Sequence, residues 1–247
     1  REAGDLVDPH TAVALAVAYP NLPEISGLSD YRPKLPMRVF AADGVLLGEF
    51  GEERRNFLPI AQIPKIMRDA VLAIEDARFY DHGGVDYKGI LRAIRANLGE
   101  ARGQGASTIT MQVARNFYLS TEKTLTRKVY EVLLTWKIES LLTKDQILEA
   151  YMNQIFLGQR AYGFAAASDI YFGKPLKDVT VAEAAMLAGL PKGPSIYNPI
   201  VNPKRATARQ QYIIDRMLDN GFITAEQAAE ARTEKLRYKS QSEVAVH

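Results

Sequence analysis

The sequence has no cysteine among its 247 residues. It therefore cannot form a disulfide, a thiolate nucleophile or a cysteine-based zinc or iron–sulfur site. Long apolar runs are also missing, since the longest, residues 12–19, is less than half of the roughly 20 residues that a membrane-spanning helix needs. Neither sign of charge is in clear excess, because 31 basic and 29 acidic residues leave a net charge of +2. No global field draws the chain to nucleic acid or anionic lipid, and a local patch must hold any such partner.

The overall composition is that of an ordinary globular protein. Hydrophobic residues make up 47% and charged residues 24% of the chain, which excludes a disordered or collagen-like protein. The length allows one large domain or two small ones. Prolines are frequent in residues 1–36, which predicts an irregular lead-in with little structure of its own. The pair Asp43–Gly44 between two apolar runs then predicts a β-hairpin.

Helical periodicity begins behind Pro64. This position suits a helix start, because proline is tolerated near the first turn of a helix. Capping boxes pair a threonine with a glutamine or glutamate three residues later, and they start at Thr143, Thr180 and Thr224. No convincing alternating strand pattern follows the hairpin. We therefore predict a mainly α fold with a compact body of several helices.

The densest group of polar residues inside an apolar pattern surrounds Glu75. Apolar neighbours on the same helix should disfavour its charged form and raise its pKa, as a general base near neutral pH requires. The alternative is that Glu75 and Asp76 lie on a solvated helix face or pair with Arg78. His82 has no second histidine at metal-binding spacing, so we interpret it as support for the loop after the helix.

A second group follows the glycines at positions 103 and 105. Ser107 and Thr108 begin a helix there, and Gln112 and Arg115 follow on the same side. Backbone donors and hydroxyls at a helix start suit phosphate oxygens. The pattern is not a Walker P-loop, because no Gly-Lys-Ser/Thr follows the glycines. The alternative is a flexible loop with Ser107 as an ordinary helix cap.

A third group places Arg127, Lys128 and Glu131 on one side of a helix, opposite an apolar stripe that includes Val129 and Trp136. Such a group is usually a surface salt bridge worth about 0.5 kcal/mol or less. Beside a phosphate-binding loop, it is instead a candidate site for an anion or for a pyrophosphate bridged by a cation.

Basic residues also flank an apolar stripe within residues 88–102. This stretch is either a basic amphipathic segment that rests on a membrane surface or a helix that faces the core.

Taken together, these groups resemble glycosyltransferase family 51, the peptidoglycan glycosyltransferase domain of class A, type 1a-like penicillin-binding proteins. The resemblance runs from about residue 43 to residue 236, and its motifs occur in the order of the family. The motifs are Glu75-Asp76-x-x-Phe79-x-x-His82-x-Gly84-x-Asp86, Gly105-x-Ser107-Thr108-Ile109-x-x-Gln112-x-x-Arg115-Asn116, Arg127-Lys128-x-x-Glu131, Ile147-Leu148-Glu149-x-Tyr151-x-Asn153, and Glu183-Ala184-Ala185-x-Leu187-Ala188-Gly189-Leu190-Pro191 leading to Tyr197-Asn198-Pro199.

The resemblance implies a lysozyme-like, two-lobed helical domain with a short N-terminal β-hairpin. We expect a membrane-proximal lead-in at 1–56, a glycosyltransferase domain at 57–240 and a tail at 241–247. The domain would consist of a head lobe and a small jaw lobe around 87–106. A transmembrane anchor before Arg1 and a transpeptidase domain after His247 are expected from the resemblance, and neither is in this chain.

The resemblance also implies the reaction, which is polymerisation of lipid II into glycan strands. The acceptor GlcNAc 4-hydroxyl attacks the lipid-pyrophosphate-linked MurNAc C1 of the donor, with inversion at C1. Glu75 would be the base, and Glu131 would assist departure of the pyrophosphate, directly or through Mg²⁺ or Mn²⁺. The substrate-binding residues expected from the family are Asp76, Phe79, His82, Ser107, Thr108, Gln112, Arg115, Asn116, Arg127 and Lys128.

The resemblance also implies that the jaw contacts the membrane and that the domain lies on the outer side of a bacterial cytoplasmic membrane. We expect cell-wall synthesis proteins as partners, and we do not expect nucleic acid as one. Two alternatives stand beside this hypothesis. A lysozyme-like hydrolase or lytic transglycosylase would use the same fold and a catalytic glutamate, but its glycan substrate brings no pyrophosphate for the phosphate-type residues. A scaffold that only binds lipid II would have no need of Glu75 and Glu131.

Overall fold

The computed structural model of the chain describes residues 20, 22, 24–25, 37–40, 46–50, 54–89, 107–118 and 125–239. Most of the expected lead-in and jaw, most of the basic stretch at 88–102 and the expected tail at 241–247 lie outside the described residues. The domain boundaries stay predictions.

Helices dominate the described part of the chain, which confirms the predicted mainly α class. They are α1 (Lys65–Glu75), α2 (Ile109–Tyr118), α3 (Leu125–Leu141), α4 (Lys144–Gln154), α5 (Phe164–Phe172), α6 (Val181–Ala188), α7 (Pro203–Asp219) and α8 (Ala225–Thr233), with short 3-10 turns at Ile60–Gln62, Phe79–Asp81 and Leu176–Asp178. No helix in the described ranges is both long and apolar enough to cross a membrane.

The strands form two short sheets. β1 (Met37–Phe40) and β2 (Leu46–Phe50) pair antiparallel with Met37 opposite Phe50, which confirms the predicted hairpin. β3 (Arg54–Arg55) pairs in parallel with β4 (Ala161–Tyr162).

The helix starts follow the capping signals of the sequence. Pro64 caps α1, where its missing N–H costs no helical hydrogen bond. The boxes at Thr143, Thr180 and Thr224 begin α4, α6 and α8, and each threonine hydroxyl accepts from the backbone N–H three residues later. These predictions are confirmed, because both halves of a capping box lie within one turn of chain.

The core is built around α6. This helix packs against both α1 and α7, while α2 packs against α3 and α4. Alanines make up half of α6 and all but its first residue are buried, so its two neighbours can approach it closely. Met67 of α1 and Ile213 of α7 are fully buried beside it. This packing fixes the C-terminal end of α1, which carries Glu75.

The chain is fastened to the helical body from β3 onward. Asn153 of α4 pairs with the backbone of Leu58, accepting from its N–H and donating to its carbonyl at 2.8 Å each. The carboxylate of Glu149 accepts from the N–H of Ile60 at 2.7 Å. These contacts satisfy backbone groups that no strand partner serves, so residues 56–60 are held as part of the body.

Candidate active site

Glu75 is the last residue of α1, and its side chain is half-buried. Gln112 of α2 donates from Nε2 to Glu75 Oε2 at 2.8 Å. Burial raises the pKa of Glu75, and the hydrogen bond from Gln112 and the charges of Arg209 and Lys192 only partly oppose this rise. The C-terminal end of a helix also disfavours negative charge. A carboxylate in this setting can accept a proton near neutral pH.

Arg78 does not pair with Glu75. Its guanidinium hydrogen-bonds the carboxylate of Asp86, and this hydrogen bond holds the pKa of Asp86 below its usual range. The alternative of a solvated or Arg78-paired acidic face is therefore not what the structure contains.

Asp76 holds the loop that follows α1. Both of its carboxylate oxygens contact Nε2 of His82, at 2.8 and 2.9 Å, and Oδ2 also accepts from the N–H of Ile109 at the start of α2. Because the N–H of Gly84 donates to His82 Nδ1 at 3.1 Å, the ring proton is on Nε2. Asp76 is buried, and we interpret these contacts as support for the loop. Contact of Asp76 and His82 with a substrate stays a prediction.

Thr108 and Phe79 are also turned inward. The Thr108 hydroxyl donates to the carbonyl of Gly84 at 2.5 Å and is buried. Phe79 is fully buried, with its ring edge-on to His82 and the ammonium of Lys144 4.4 Å from its centroid. Neither side chain is open to a ligand in this structure. We therefore interpret Thr108 and Phe79 as residues that support the loop, and their contact with a substrate stays a prediction.

Glu131 lies at the centre of a second set of contacts. Its Oε1 accepts from Arg115 Nη2 at 3.0 Å and from Lys128 Nζ at 2.8 Å, and its Oε2 accepts from Arg115 Nε at 3.3 Å. Arg115 Nη2 also donates to Ser107 Oγ at 3.1 Å. We call Ser107, Arg115, Lys128 and Glu131 the Glu131 cluster. Glu131 has an exposed fraction of 0%, whereas Arg115 and Lys128 reach solvent.

The Glu131 cluster keeps its carboxylate charged. Burial works to raise the pKa of Glu131, but the hydrogen bonds and charges of Arg115 and Lys128 outweigh burial and hold the pKa below its usual value. Two cations against one carboxylate leave net positive charge where the guanidinium and ammonium meet solvent. This charge suits an anionic ligand such as a phosphate.

The predicted orientation of α3 is wrong. Glu131 and Thr135 are buried, whereas Val129 and Trp136 of the supposed core stripe are exposed. The ion-paired Glu131 faces the interior of the protein. The alternative interpretation of this group as a surface salt bridge is therefore also wrong. Arg127 is half-buried and Asn116 is exposed.

The comparisons with known proteins agree with these motifs. A family model described as transglycosylase matches residues 43–218. The chain belongs to the transglycosylase family. It is 56% identical over 229 residues to penicillin-binding protein 1A of Neisseria flavescens, covering 92% of this chain and 29% of that protein. It is 51% identical over 219 residues to penicillin-binding protein 1A of Escherichia coli K12, covering 88% and 26%.

One solved structure in the comparison is penicillin-binding protein 1A from Haemophilus influenzae, at 2.6 Å resolution. It matches with a TM-score of 0.48 and 31% identity, over 83% of this chain and 21% of that one. The present chain thus spans less than a third of the length of the relatives that it matches.

The expected metal does not fit the Glu131 of this transglycosylase-family chain. Its two oxygens already accept three hydrogen bonds from cations and the side chain is fully buried. In the described ranges, no group of three or more His, Asp or Glu side chains is arranged to hold a metal ion.

Sequence reasoning missed three residues near Glu75. The charges of Lys192 and Arg209 act on its carboxylate, and Arg209 lies over the rings of Tyr197 and Tyr212, 5.6 and 5.8 Å from their centroids. Tyr151 reaches Gln112 from α4. Tyr151 belongs to a family motif and Lys192 directly follows one, but Arg209 lies in a helix with no motif, so only the fold brings it to Glu75.

Proposed function

We propose that this chain is a peptidoglycan glycosyltransferase that polymerises lipid II into glycan strands. The observation that carries the proposal is that α2 joins a base to a phosphate-type cluster. Gln112 of α2 contacts Glu75, and Arg115, three residues later, contacts Glu131. Residues three apart on a helix are neighbours on its surface. A proton acceptor and a cationic cluster on one helix face suit a substrate with a nucleophilic hydroxyl and a pyrophosphate leaving group.

In the proposed reaction, Glu75 takes the proton from the GlcNAc 4-hydroxyl of the acceptor lipid II. The hydroxyl oxygen then forms a bond to the MurNAc C1 of the growing strand. The bond from C1 to the pyrophosphate oxygen breaks, and undecaprenyl pyrophosphate leaves with the electron pair. A single displacement of this kind inverts the configuration at C1.

The cationic groups would stabilise the charge that develops on the leaving pyrophosphate. Arg115 and Lys128 offer donors to solvent, Arg127 directly precedes Lys128 on α3, and Gln112 and Asn116 complete the proposed donor site. Ser107 helps to orient Arg115, whose Nη2 donates to its hydroxyl oxygen. Glu131 holds the cations in place, which supports an indirect role for it in leaving-group departure. A glycan-cleaving enzyme would have no use for this cluster, because its substrate lacks a pyrophosphate.

The proposal also concerns the setting of the enzyme. Lipid II and the nascent strand are carried by membrane lipid, so we expect the domain to work at the outer face of the bacterial cytoplasmic membrane beside other cell-wall synthesis proteins. Similarity to penicillin-binding proteins 1A supports this placement. The expected Mg²⁺ or Mn²⁺ stays a prediction for the pyrophosphate of the substrate, not for Glu131.

Incubation of the purified chain with lipid II in detergent tests the function. Wild type should form glycan polymer, and Glu75→Gln should lose about 10²- to 10⁴-fold in rate, the usual contribution of a general base. Glu226→Gln is the matched control, because Glu226 is an exposed carboxylate on α8. Full activity of Glu75→Gln would remove Glu75 as the base, and absence of polymer from wild type would contradict the function.

The pH dependence gives a second readout of the same proposal. A base must be deprotonated, and the pKa of Glu75 is raised by burial. The rate should therefore fall as the pH drops through a value above the ordinary pKa of a glutamate. Glu226→Gln should keep this acidic limb, whereas the residual rate of Glu75→Gln should lack it.

A further inference from the structure

The amide of Gln112 lies between the half-buried Glu75 of α1 and the buried Tyr151 of α4. Its Nε2 donates to Glu75 Oε2 at 2.8 Å, and its Oε1 accepts from the hydroxyl of Tyr151 at 3.3 Å. Tyr151 lies in the middle of α4 and has an exposed fraction of 1%. The hydrogen bonds thus run in one direction, from Tyr151 through Gln112 to the carboxylate of Glu75.

The direction of this chain depends on how the amide is turned. A glutamine amide has a donor end and an acceptor end of nearly the same shape, so contacts decide its orientation. An ionised carboxylate only accepts hydrogen bonds and needs the NH₂ end. If the amide turned over, its carbonyl oxygen would face the charge of Glu75. A donor held against Oε1 prevents this, and aligned hydrogen bonds strengthen one another.

Tyr151 is suited to be that donor. Burial, and then the negative charge of Glu75, raise the pKa of Tyr151 well above its usual value, so the hydroxyl keeps its proton throughout the working range of pH. The α2–α4 packing holds the ring, and its side chain has little freedom to leave Gln112.

We propose that Tyr151 is a positioning residue for glycosyl transfer, which turns the Gln112 amide so that its NH₂ faces Glu75. This inference rests on the proposed function, because Glu75 is there the base. Glu75 needs such help, since it lies at the C-terminal end of α1, where the helix dipole disfavours its charge. A charge-assisted hydrogen bond is about twice as strong as a neutral one. Loss of the hydrogen-bond chain should therefore destabilise the ionised form of Glu75 more than its protonated form.

Other charged groups also act on Glu75. They are Asp76 next to it in the chain, Lys192 in the loop after α6 and Arg209 of α7. Replacement of Tyr151 by phenylalanine removes none of these charges. A change in the titration of Glu75 in that variant therefore reports on the hydrogen-bond chain.

The experiment compares Tyr151→Phe with Tyr171→Phe. Tyr171 is a matched control because it is equally buried, but its hydroxyl donates to the carbonyl of Leu157 at 2.8 Å and accepts from Asn198. The first readout is the pKa of Glu75 in the free chain, from the NMR signal of its ¹³C-labelled carboxyl group, assigned with Glu75→Gln. The second readout is the pH profile of lipid II polymerisation.

In Tyr151→Phe the pKa of Glu75 should rise. The polymerisation rate should fall about tenfold on the acidic limb and stay near that of wild type at high pH, because deprotonated Glu75 is still the base there. Tyr171→Phe should leave the pKa and the acidic limb in place. An unchanged pKa in Tyr151→Phe, or an equal rise in Tyr171→Phe, would overturn the inference.

A second substitution keeps the test decisive if Tyr151→Phe does not fold. A 3-fluorotyrosine at position 151 has a more acidic hydroxyl and nearly the same size, so it should lower the pKa of Glu75, and a rise or no change counts against Tyr151. The NMR readout needs no polymerisation. Full activity of Glu75→Gln would therefore refute the proposed base, while the titration would still decide whether Tyr151 sets the state of Glu75.

Discussion

Glu75 and Glu131 are two buried or half-buried glutamates on either side of α2, and they differ in what faces them. Burial works against the charged form of both. Glu75 has one amide donor and more distant cations, so its pKa is raised. Glu131 has a guanidinium and an ammonium within 3.3 Å, so its pKa is lowered. The partners, and not the degree of burial, decide the direction in which the pKa of each glutamate shifts.

This difference separates two kinds of chemical work. A carboxylate with a raised pKa can take up a proton and release it, as a base must in each turnover. A carboxylate locked to two cations stays ionised and serves as a fixed anchor for their orientation. In the proposed reaction, the nearer cations make Glu131 a support, and Glu75 is left as the base.

The largest expected effect comes from making Glu131 resemble Glu75. Arg115→Met removes the guanidinium and keeps most of the apolar stem, which leaves a fully buried carboxylate with only Lys128. Removing this cation while the carboxylate of Glu131 stays buried should lower the free energy of unfolding by about 3 kcal/mol. Urea denaturation of this chain measures the change.

The control for this prediction is the double variant Arg115→Met/Glu131→Gln. Without the buried charge, most of the lost stability should return, because no buried carboxylate is left with Lys128 as its one cation. A double variant that is less stable than Arg115→Met alone would contradict the prediction, because it would show that Lys128 by itself satisfies the buried carboxylate.

Replacing each glutamate by glutamine should give smaller changes in the free energy of unfolding, and these changes should have opposite signs. At neutral pH, Glu75→Gln should raise the free energy of unfolding by about 1 kcal/mol, and Glu131→Gln should lower it by about 2 kcal/mol. The second change costs less than Arg115→Met because the cations that it leaves unpaired reach solvent. Thermal denaturation of both variants between acidic and neutral pH measures the differences.

The pH windows follow from linkage. The pKa of Glu75 is raised in the fold, so its contribution to stability is full below the ordinary glutamate pKa and is lost as the pH rises through the folded value. The pKa of Glu131 is lowered, so its contribution is full above the ordinary pKa and is lost as the pH falls through the folded value. Both variants should therefore approach wild type in acid. Changes of the same sign would contradict the comparison.

Local features of this molecule could be predicted from its sequence. The capping boxes, the hairpin and the apolar setting of Glu75 depend on residues within a few positions of each other. The faces of α3 could not be predicted, because periodicity gives the width of a stripe but not its direction. Glu131 is buried because Arg115 comes from another helix to meet it, and Val129 is left exposed.

The structure brings several of the predicted site residues together, and their roles stay predictions. Motifs name the side chains that gather there, but only contacts separate residues that face a ligand from residues that hold the loop. Asp76 and Thr108 have their polar atoms engaged within the protein. Lys192 and Arg209 come to Glu75 from more than a hundred positions away in the chain, and neither belongs to a motif.

Ser107→Ala should have the smallest effect of these changes. Its hydroxyl accepts one hydrogen bond from Arg115, but that guanidinium keeps both of its contacts with Glu131. We expect the free energy of unfolding to change by less than about 1 kcal/mol and the polymerisation rate by less than about threefold. Ser140→Ala is the control, since its exposed hydroxyl bonds only a carbonyl of its own helix in this structure. A large rise in the KM for lipid II with unchanged stability would contradict this expectation: the hydroxyl would then contact the pyrophosphate, and the Glu131 cluster would be a binding surface on its serine side as well as an anchor.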